Sequence, residues 1–403
     1  MDTLTLCGLA LLVAGTLLAL RLGRPRAAGP SGWFPDPTGP ANPQAPPRQR
    51  RWDGRAWTGA TRPAEEPGPA ARPFHGRFAG PWLWFPVTSA GVMVAGSAAY
   101  LSSALPKSAS TWALVVSGGL AVALSGVGFH GFVDRQLRLR DAIALGPVLA
   151  TGLAAGGAAV SLTVWAHSWT YRWLGVAGMV AFVGPVEELC KLLVPVALWA
   201  AGRYRDPRAG IALGLGAGTG FAVAETARYG WFLPRGGYLD ACTGVAAAPL
   251  APGPVVTSQA VRLLLAAPLH WLFTGLAAAL LWRLWHRAGP AADRGRTAGP
   301  VAAVLLLVAG GHSLYDGLMI GSCGAPPAVG LLRLVLIPLL GFGLYRLFKA
   351  AARASLPPIQ VGVVSLGWHP QRLRAGPPAG DGVAPPPAPQ PDDGIEHPPA
   401  DPA

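Results

Sequence analysis

Lysine is almost missing from this chain: Lys107, Lys191 and Lys349 are the only lysines among 32 basic residues, and the others are arginine. Charge of any kind is scarce, with 19 acidic residues and 13% Asp, Glu, Lys and Arg against 51% hydrophobic residues. A soluble globular domain carries about a quarter charged residues, so this balance excludes one and indicates a polytopic membrane protein. Cysteine is equally sparse. Cys7, Cys190, Cys242 and Cys323 have no paired spacing that reads as a zinc knuckle or redox motif, and a Cys242–Cys323 disulfide is the lesser expectation beside free thiols. There is no HExxH pair. The net charge of +13 does not indicate a nucleic-acid partner, because the arginines flank apolar runs, where basic residues hold cytoplasmic ends. The partner that composition implies is the lipid bilayer.

Apolar segments near 3–20, 81–104, 110–130, 142–165, 174–201, 209–232, 259–283, 299–321 and 327–347 each approach the roughly 20 residues a helix needs to cross a bilayer. The expected fold is an all-α, polytopic membrane helical bundle of about nine transmembrane helices. The first, within residues 1–21, follows Asp2 and precedes Arg21, Arg24 and Arg26, the reverse of a secretory signal, so it reads as an uncleaved anchor with its N-terminus outside. Arg135, Arg138 and Arg140 follow the third span and Arg203, Arg205 and Arg208 the fifth. Arg283, Arg287, Arg294 and Arg296 follow the seventh, and Arg346, Lys349 and Arg353 the ninth. Odd spans therefore end inside, which predicts a multi-pass cell-membrane protein with a cytoplasmic C-terminus. Residues 31–64 form a small Trp-rich module expected in the cytoplasm, and 354–403, rich in Pro, Ala, Gly and Asp, read as a disordered cytoplasmic tail. Gly214, Gly216, Gly218 and Gly220 make two overlapping small-xxx-small pairs suited to close helix packing.

Five charged residues lie inside these apolar segments: Glu187, Glu188 and Lys191 in the fifth, Glu225 in the sixth and Asp316 in the eighth. Each costs roughly 2.5–3.5 kcal/mol at mid-membrane if it faces lipid, so together they must face one another or a wet cavity. His270 and His312 lie at similar depth in the seventh and eighth spans. His312 and Asp316 are i,i+4 and share a face; Lys191 stands i+4 from Glu187 and i+3 from Glu188, where it partly neutralises both. Such a group fits a hydrolase that activates water, with one carboxylate as general base and imidazoles binding a metal or stabilising charge. Two His and a Glu would make a zinc set with an open position. The residues alone leave metal-dependent and metal-free chemistry open, and they also leave a buried ionic network or the proton path of an ion-coupled transporter as alternatives. Two related halves with interrupted helices would mark a transporter, and no such repeat is found.

The motifs Pro185-Val186-Glu187-Glu188-Leu189-Cys190-Lys191, Phe221-Ala222-Val223-Ala224-Glu225, His270 with Gly275, and His312-Ser313-Leu314-Tyr315-Asp316 resemble, in order and spacing, the EExxK, FxxxE, His-bearing and HxxxD motifs of the PrsW family of intramembrane proteases. The resemblance covers about residues 80–347 and extends to a larger group that includes the CAAX prenyl proteases and related immunity proteins. It implies an intramembrane endopeptidase acting on a membrane-anchored protein, typically the first cut of a single-span anti-sigma factor on its extracytoplasmic side. By this carry-over the catalytic set is Glu187, Glu188, Glu225, His270 and His312, with Glu188 or its neighbour Glu187 as general base. Glu225, His270 and His312 would position water or bind metal, and Asp316 would support them. Glu188, Glu225, His270, His312 and Asp316 are the metal-ligand candidates, and Zn2+ the candidate ion. The competing reading is a non-catalytic membrane stress-response or binding protein that keeps the cavity.

Phe221, one turn before Glu225, is expected to shield the site by packing. Arg262, eight residues before His270, is expected to snorkel to the interface, with a substrate carbonyl as its alternative partner. His167, among Trp165, Trp169 and Trp173, is expected in an interfacial aromatic belt. In the small module, Gly32-Trp33-Phe34-Pro35-Asp36-Pro37 and Trp52-Asp53-Gly54-Arg55-Ala56-Trp57-Thr58 resemble a short domain of unknown function found near membrane spans, and imply a tiny sheet with a Trp-centred core.

Overall fold

A computed structural model of the chain describes residues 3–22, 32–35, 48–52, 57–63, 81–236, 247–288, 294–320 and 327–354. Cys242, Cys323 and the expected disordered tail lie outside the described residues, as do the side chains of Trp33, Trp52 and Trp57.

The described chain is a helical bundle with one small sheet. Its helices are α1 (Thr3–Leu22), α2 (Pro81–Leu101), α3 (Lys107–Leu137), a short α4 (Leu139–Ala142), α5 (Leu145–Val160), α6 (Leu162–Ala200), α7 (Pro207–Phe232), α8 (Pro252–Val261), α9 (Ala267–Ala288), α10 (Arg294–Ile320) and α11 (Pro327–Ala354). A π-helical turn, Arg262–Ala266, joins α8 to α9. The sheet holds β1 (Gly32–Pro35), β2 (Arg48–Trp52) and β3 (Trp57–Pro63), antiparallel in that order, with Trp52 opposite Trp57. Arg62 Nε donates to the buried Gln49 Oε1 at 2.8 Å across β2 and β3.

All nine segments expected to cross the membrane fall on helices. By length and hydropathy alone, six helical runs among the described residues are able to span a bilayer. The difference has a physical origin. The expected fourth and fifth spans belong to one run, Leu145–Ala200, interrupted at Ser161 and again at Gly175, whose φ of 66° breaks α6 in two. Helix α7 is diluted by Arg208, Glu225 and Arg228, and α2 by Trp, Ser and Thr. In α7 these polar groups face protein, where hydropathy is a poor guide to depth.

Helix α7 is the centre of the bundle, packed on α3, α5 and α9, and its glycines explain how. A Cβ on Gly214 would lie 2.9 Å from the Thr274 carbonyl, and one on Gly218 would lie 2.8 Å from the His270 carbonyl, both on α9. Gly216 and Gly220 face the opposite neighbour, meeting Val148 and Gly152 of α5. The two interleaved glycine pairs therefore serve two helices at once, and their lack of side chains brings α9 backbone close enough to set the depth of His270. Pro207 at the first turn and Asp206 as N-cap, accepting from Arg208 N at 2.8 Å, start α7 cleanly. At the same end Trp282 Nε1 donates to the Tyr204 carbonyl at 2.7 Å, and Arg203 donates to the Leu20 carbonyl of α1.

Candidate active site

Two backbone devices align α6 with α10. Pro185 has no N–H, which frees the carbonyl four residues earlier, Ala181. Ser313 Oγ donates to that carbonyl at 2.8 Å and accepts from Gly184 N at 3.0 Å. Gly184 provides the space: a Cβ there would strike the Ala309 carbonyl of α10. This dock sits one residue from His312 and two from Glu187, so it sets the register of the imidazole against both glutamates.

Lys191 is fully buried at the centre of the cluster. Its Nζ donates to Glu188 Oε1 at 2.8 Å and to Glu187 Oε2 at 3.3 Å, and lies 2.9 Å from His270 Nδ1 and 4.3 Å over the Phe221 ring. An ammonium can only donate, so His270 Nδ1 accepts and Nε2 carries the ring proton. That nitrogen points at Glu225 Oε2, 2.8 Å away. Arg262 Nη2 is 2.5 Å from the same oxygen, and its guanidinium stacks 4.0 Å over the Tyr229 ring.

The second imidazole is held in the same manner by the other motif. His312 Nδ1 is 2.8 Å from Glu188 Oε1, while Glu188 Oε2 accepts from Thr274 Oγ1 at 2.9 Å. Glu188 thus takes three donors from three residues. His312 Nε2 faces Glu187 Oε2 at 3.6 Å and Asp316 Oδ2 at 3.4 Å. Phe273 lies flat on the His312 ring, with centroids 5.1 Å apart, and the two imidazoles meet edge to face at 5.2 Å.

Three residues of the cluster converge on one point beside Lys191. Glu187, His270 and His312 each offer a ligand atom, all within 4.8 Å of one another and all buried. Glu187 Oε2 stands 3.8 Å from His270 Nδ1 and 3.6 Å from His312 Nε2. Ligands around a tetrahedral zinc at about 2.1 Å sit about 3.4 Å apart, so these residues fit such an ion. Each imidazole also has its far nitrogen on a carboxylate, Glu225 for His270 and Glu188 for His312, the support that metal-binding histidines require.

All the charged residues singled out in the sequence meet here, as do both histidines. Asp316 joins through His312, and its Oδ2 is buried without a hydrogen-bond partner. Phe221 packs on His270 with centroids 5.4 Å apart. Three features differ from expectation. Arg262 does not snorkel: its side chain is 12% exposed and turned onto Glu225. In an uninterrupted α-helix it would stand about 80° away from His270, and the wider π turn between them brings both onto the face that meets Glu225. His167 does not join the aromatic belt. Trp165, Trp169 and Trp173 are more than half exposed on the outside of α6, whereas His167 Nε2 faces inward, 3.9 Å from Glu187 Oε1. Nothing in sequence spacing marks His167, because the break at Gly175 separates its helical phase from that of Glu187. Thr274 was also missed, although its i,i+4 spacing from His270 was a usable signal.

The sequence model of PrsW family intramembrane metalloproteases matches residues 135–342, just over half of the chain and a stretch that holds all four motifs. The chain belongs to this family. It is a multi-pass membrane protease whose substrate is a protein held in the bilayer, and it carries a buried Glu/His/His group able to bind a metal. Comparison with curated proteins and with solved structures gives no match.

Proposed function

We propose that the chain hydrolyses a peptide bond of a membrane-anchored protein at the group formed by Glu187, His270 and His312. The observation that carries this reading is the convergence of one ligand atom from each of the three, all buried, within 4.8 Å. These residues would hold a divalent ion, zinc in our reading, which when bound polarises the scissile carbonyl and acidifies water. Glu188 and Glu225 keep the two imidazoles in the required tautomers. In place of Glu188 or Glu187, the general bases expected from the resemblance, Asp316, with an unpartnered oxygen 3.4 Å from His312 Nε2, takes the proton of the attacking water in this reading and returns it to the departing amine. Lys191 balances the charge of two buried glutamates.

The finer reading is a single-span anti-sigma factor cut on its extracytoplasmic side, in a signalling role at the cell membrane. It rests on the family resemblance and on the arginines that follow odd-numbered spans, which favour an external N-terminus and a cytoplasmic C-terminus. In the same reading residues 1–21 anchor the chain, 31–64 form an accessory module, and 80–347 are the protease domain.

The test is metal analysis of purified protein and cleavage of a single-span substrate, with and without chelator. Glu187→Gln is expected to lose metal and cleavage together, and Asp316→Asn to keep metal while losing cleavage. Cleavage retained by Glu187→Gln would end the assignment.

A further inference from the structure

Arg262 is a buried cation inside a run able to span the membrane, Pro252–Trp285. An arginine there is costly unless a partner receives it. Helix α7 supplies the socket. Glu225 and Tyr229 are i,i+4 on one face, so a carboxylate and an aromatic ring stand one turn apart. The guanidinium meets both, with Nη2 2.5 Å from Glu225 Oε2 and its carbon 4.0 Å over the Tyr229 ring. Phe232 backs that ring, with centroids 4.9 Å apart. A planar guanidinium that pairs with a carboxylate and stacks on a ring at once is a use to which arginine is suited and lysine is not. The oxygen that Arg262 meets is the one facing His270 Nε2 at 2.8 Å. The other nitrogen of that ring, Nδ1, is the one 3.8 Å from Glu187 Oε2.

An ordinary helix would not bring Arg262 to this oxygen. Its separation of eight residues from His270 leaves the two about 80° apart on an α-helix. The π turn Arg262–Ala266 absorbs the difference, because each of its hydrogen bonds spans one residue more than in an α turn. We propose that Arg262 is a positioning residue of the protease: held on the Tyr229 ring, it fixes the Glu225 carboxylate on His270 Nε2 and so keeps His270 Nδ1 directed at the site, and the π turn is what puts it within reach. In its consequence for metal this rests on Glu187, His270 and His312 as the ligand set.

The full chain, labelled with nitrogen-15 histidine, is purified metal-free in detergent and then titrated with zinc against a chelator of known affinity. In the metal-free wild type the His270 Nε2–H proton, assigned by its loss in His270→Asn, should exchange slowly with water. In Arg262→Gln it should exchange about tenfold faster, as a group whose acceptor is no longer fixed. Zinc affinity should fall about tenfold in the same variant, the lower end of the range for a supporting partner, because Glu225 itself remains. Arg262→Lys keeps the charge without the fork or the stacking and should recover part of both losses. A merely structural pin on α7 would change the unfolding temperature and move neither readout. The double variant Arg262→Gln with Glu225→Gln removes both charges, and should bind zinc no more weakly than Glu225→Gln alone, since Arg262 acts through that carboxylate. Losses that add in the double variant would overturn the proposal. So would wild-type zinc affinity with a slowly exchanging His270 proton in Arg262→Gln. Deletion of Leu264, which is 69% exposed, tests the π turn. It reduces the separation to seven residues, about 20° short of two full α turns, so a plain α-helix would keep Arg262 and His270 on one face. Zinc affinity should then stay within about threefold of the wild type, and a fall as large as that of Arg262→Gln would take the π turn out of the proposal. A wild type that binds no zinc counts against the ligand set instead, and the His270 proton then decides the role of Arg262 by itself.

Discussion

Lys191 Nζ lies 2.9 Å from His270 Nδ1, the ring nitrogen that also faces Glu187. The ammonium and a divalent ion therefore draw on the same lone pair. This makes Lys191 the residue that balances the buried carboxylates whenever no ion does so, and it explains why a lysine is tolerated at full burial.

The first prediction follows from that shared nitrogen. Lys191→Gln leaves Glu187 and Glu188 without their cation, and stability should fall by about 3–5 kcal/mol, the cost of breaking a buried ion pair. Added divalent metal should restore more stability to Lys191→Gln than it gives the wild type, because the ion supplies the missing charge. Thermal unfolding in detergent with and without metal measures both. Equal stabilisation of the two proteins would mean that ammonium and metal do not share a site.

Glu188 and Thr274 form the second case. Glu188 holds His312 Nδ1 at 2.8 Å while Thr274 Oγ1 holds Glu188, so neither needs to touch the ion to affect it. Glu188→Gln should lower metal affinity by about 10–100-fold, the usual effect of losing such a supporting partner, and Thr274→Val by less. Competition against a chelator of known affinity reads this directly. Glu187→Gln, which removes a ligand atom, should be the most severe of the three.

Much of this arrangement is legible in the sequence because membrane burial makes charge conspicuous. A glutamate or lysine inside an apolar segment has no neutral interpretation, so Glu187, Glu188, Lys191, Glu225 and Asp316 declare themselves by cost alone. Their division of labour is not legible. Glu187 and Glu188 are adjacent in sequence and alike in type, and only the positions of Thr274 and His312 on other helices saturate one and leave the other open. Arg262 and His167 escaped for a related reason. Each is separated from the motif it serves by a helix irregularity, the π turn before His270 and the Gly175 break before Glu187. Counting at 3.6 residues per turn fails across either.

His167 carries the third prediction. Its Nε2 is buried without a hydrogen-bond partner and faces Glu187 Oε1 at 3.9 Å, on the side of that carboxylate away from the imidazoles. It acts as a positioning residue for Glu187. His167→Phe should keep stability within about 1 kcal/mol, since ring volume is retained. Metal affinity should fall by about tenfold, in the range for a supporting partner. His167→Gln, which keeps a donor, should recover part of the loss; equal metal affinity in wild type and His167→Phe would remove the role.

The fourth prediction tests whether helix docking sets the chemistry. Gly184 and Pro185 let α6 approach α10, where Ser313 bridges the Ala181 carbonyl and the Gly184 amide. Gly184→Ala introduces a methyl group against the Ala309 backbone, which has no flexible side chain to move aside. Overpacking of this kind costs about 1–3 kcal/mol, and here it also pushes His312 away from Glu188. Gly310→Ala, one turn from Ser313 on α10 but with no atom near its Cβ, is the control, expected to be neutral or to gain up to about 1 kcal/mol of helix propensity. Ser313→Ala removes the bridge without adding bulk and leaves the Ala181 carbonyl without its donor, a loss of about 1–3 kcal/mol. If the dock sets the site, Gly184→Ala and Ser313→Ala should both lose cleavage activity by more than their stability loss accounts for, measured at a temperature where each remains folded. If activity follows the folded fraction alone, α10 is held in register by something other than this junction.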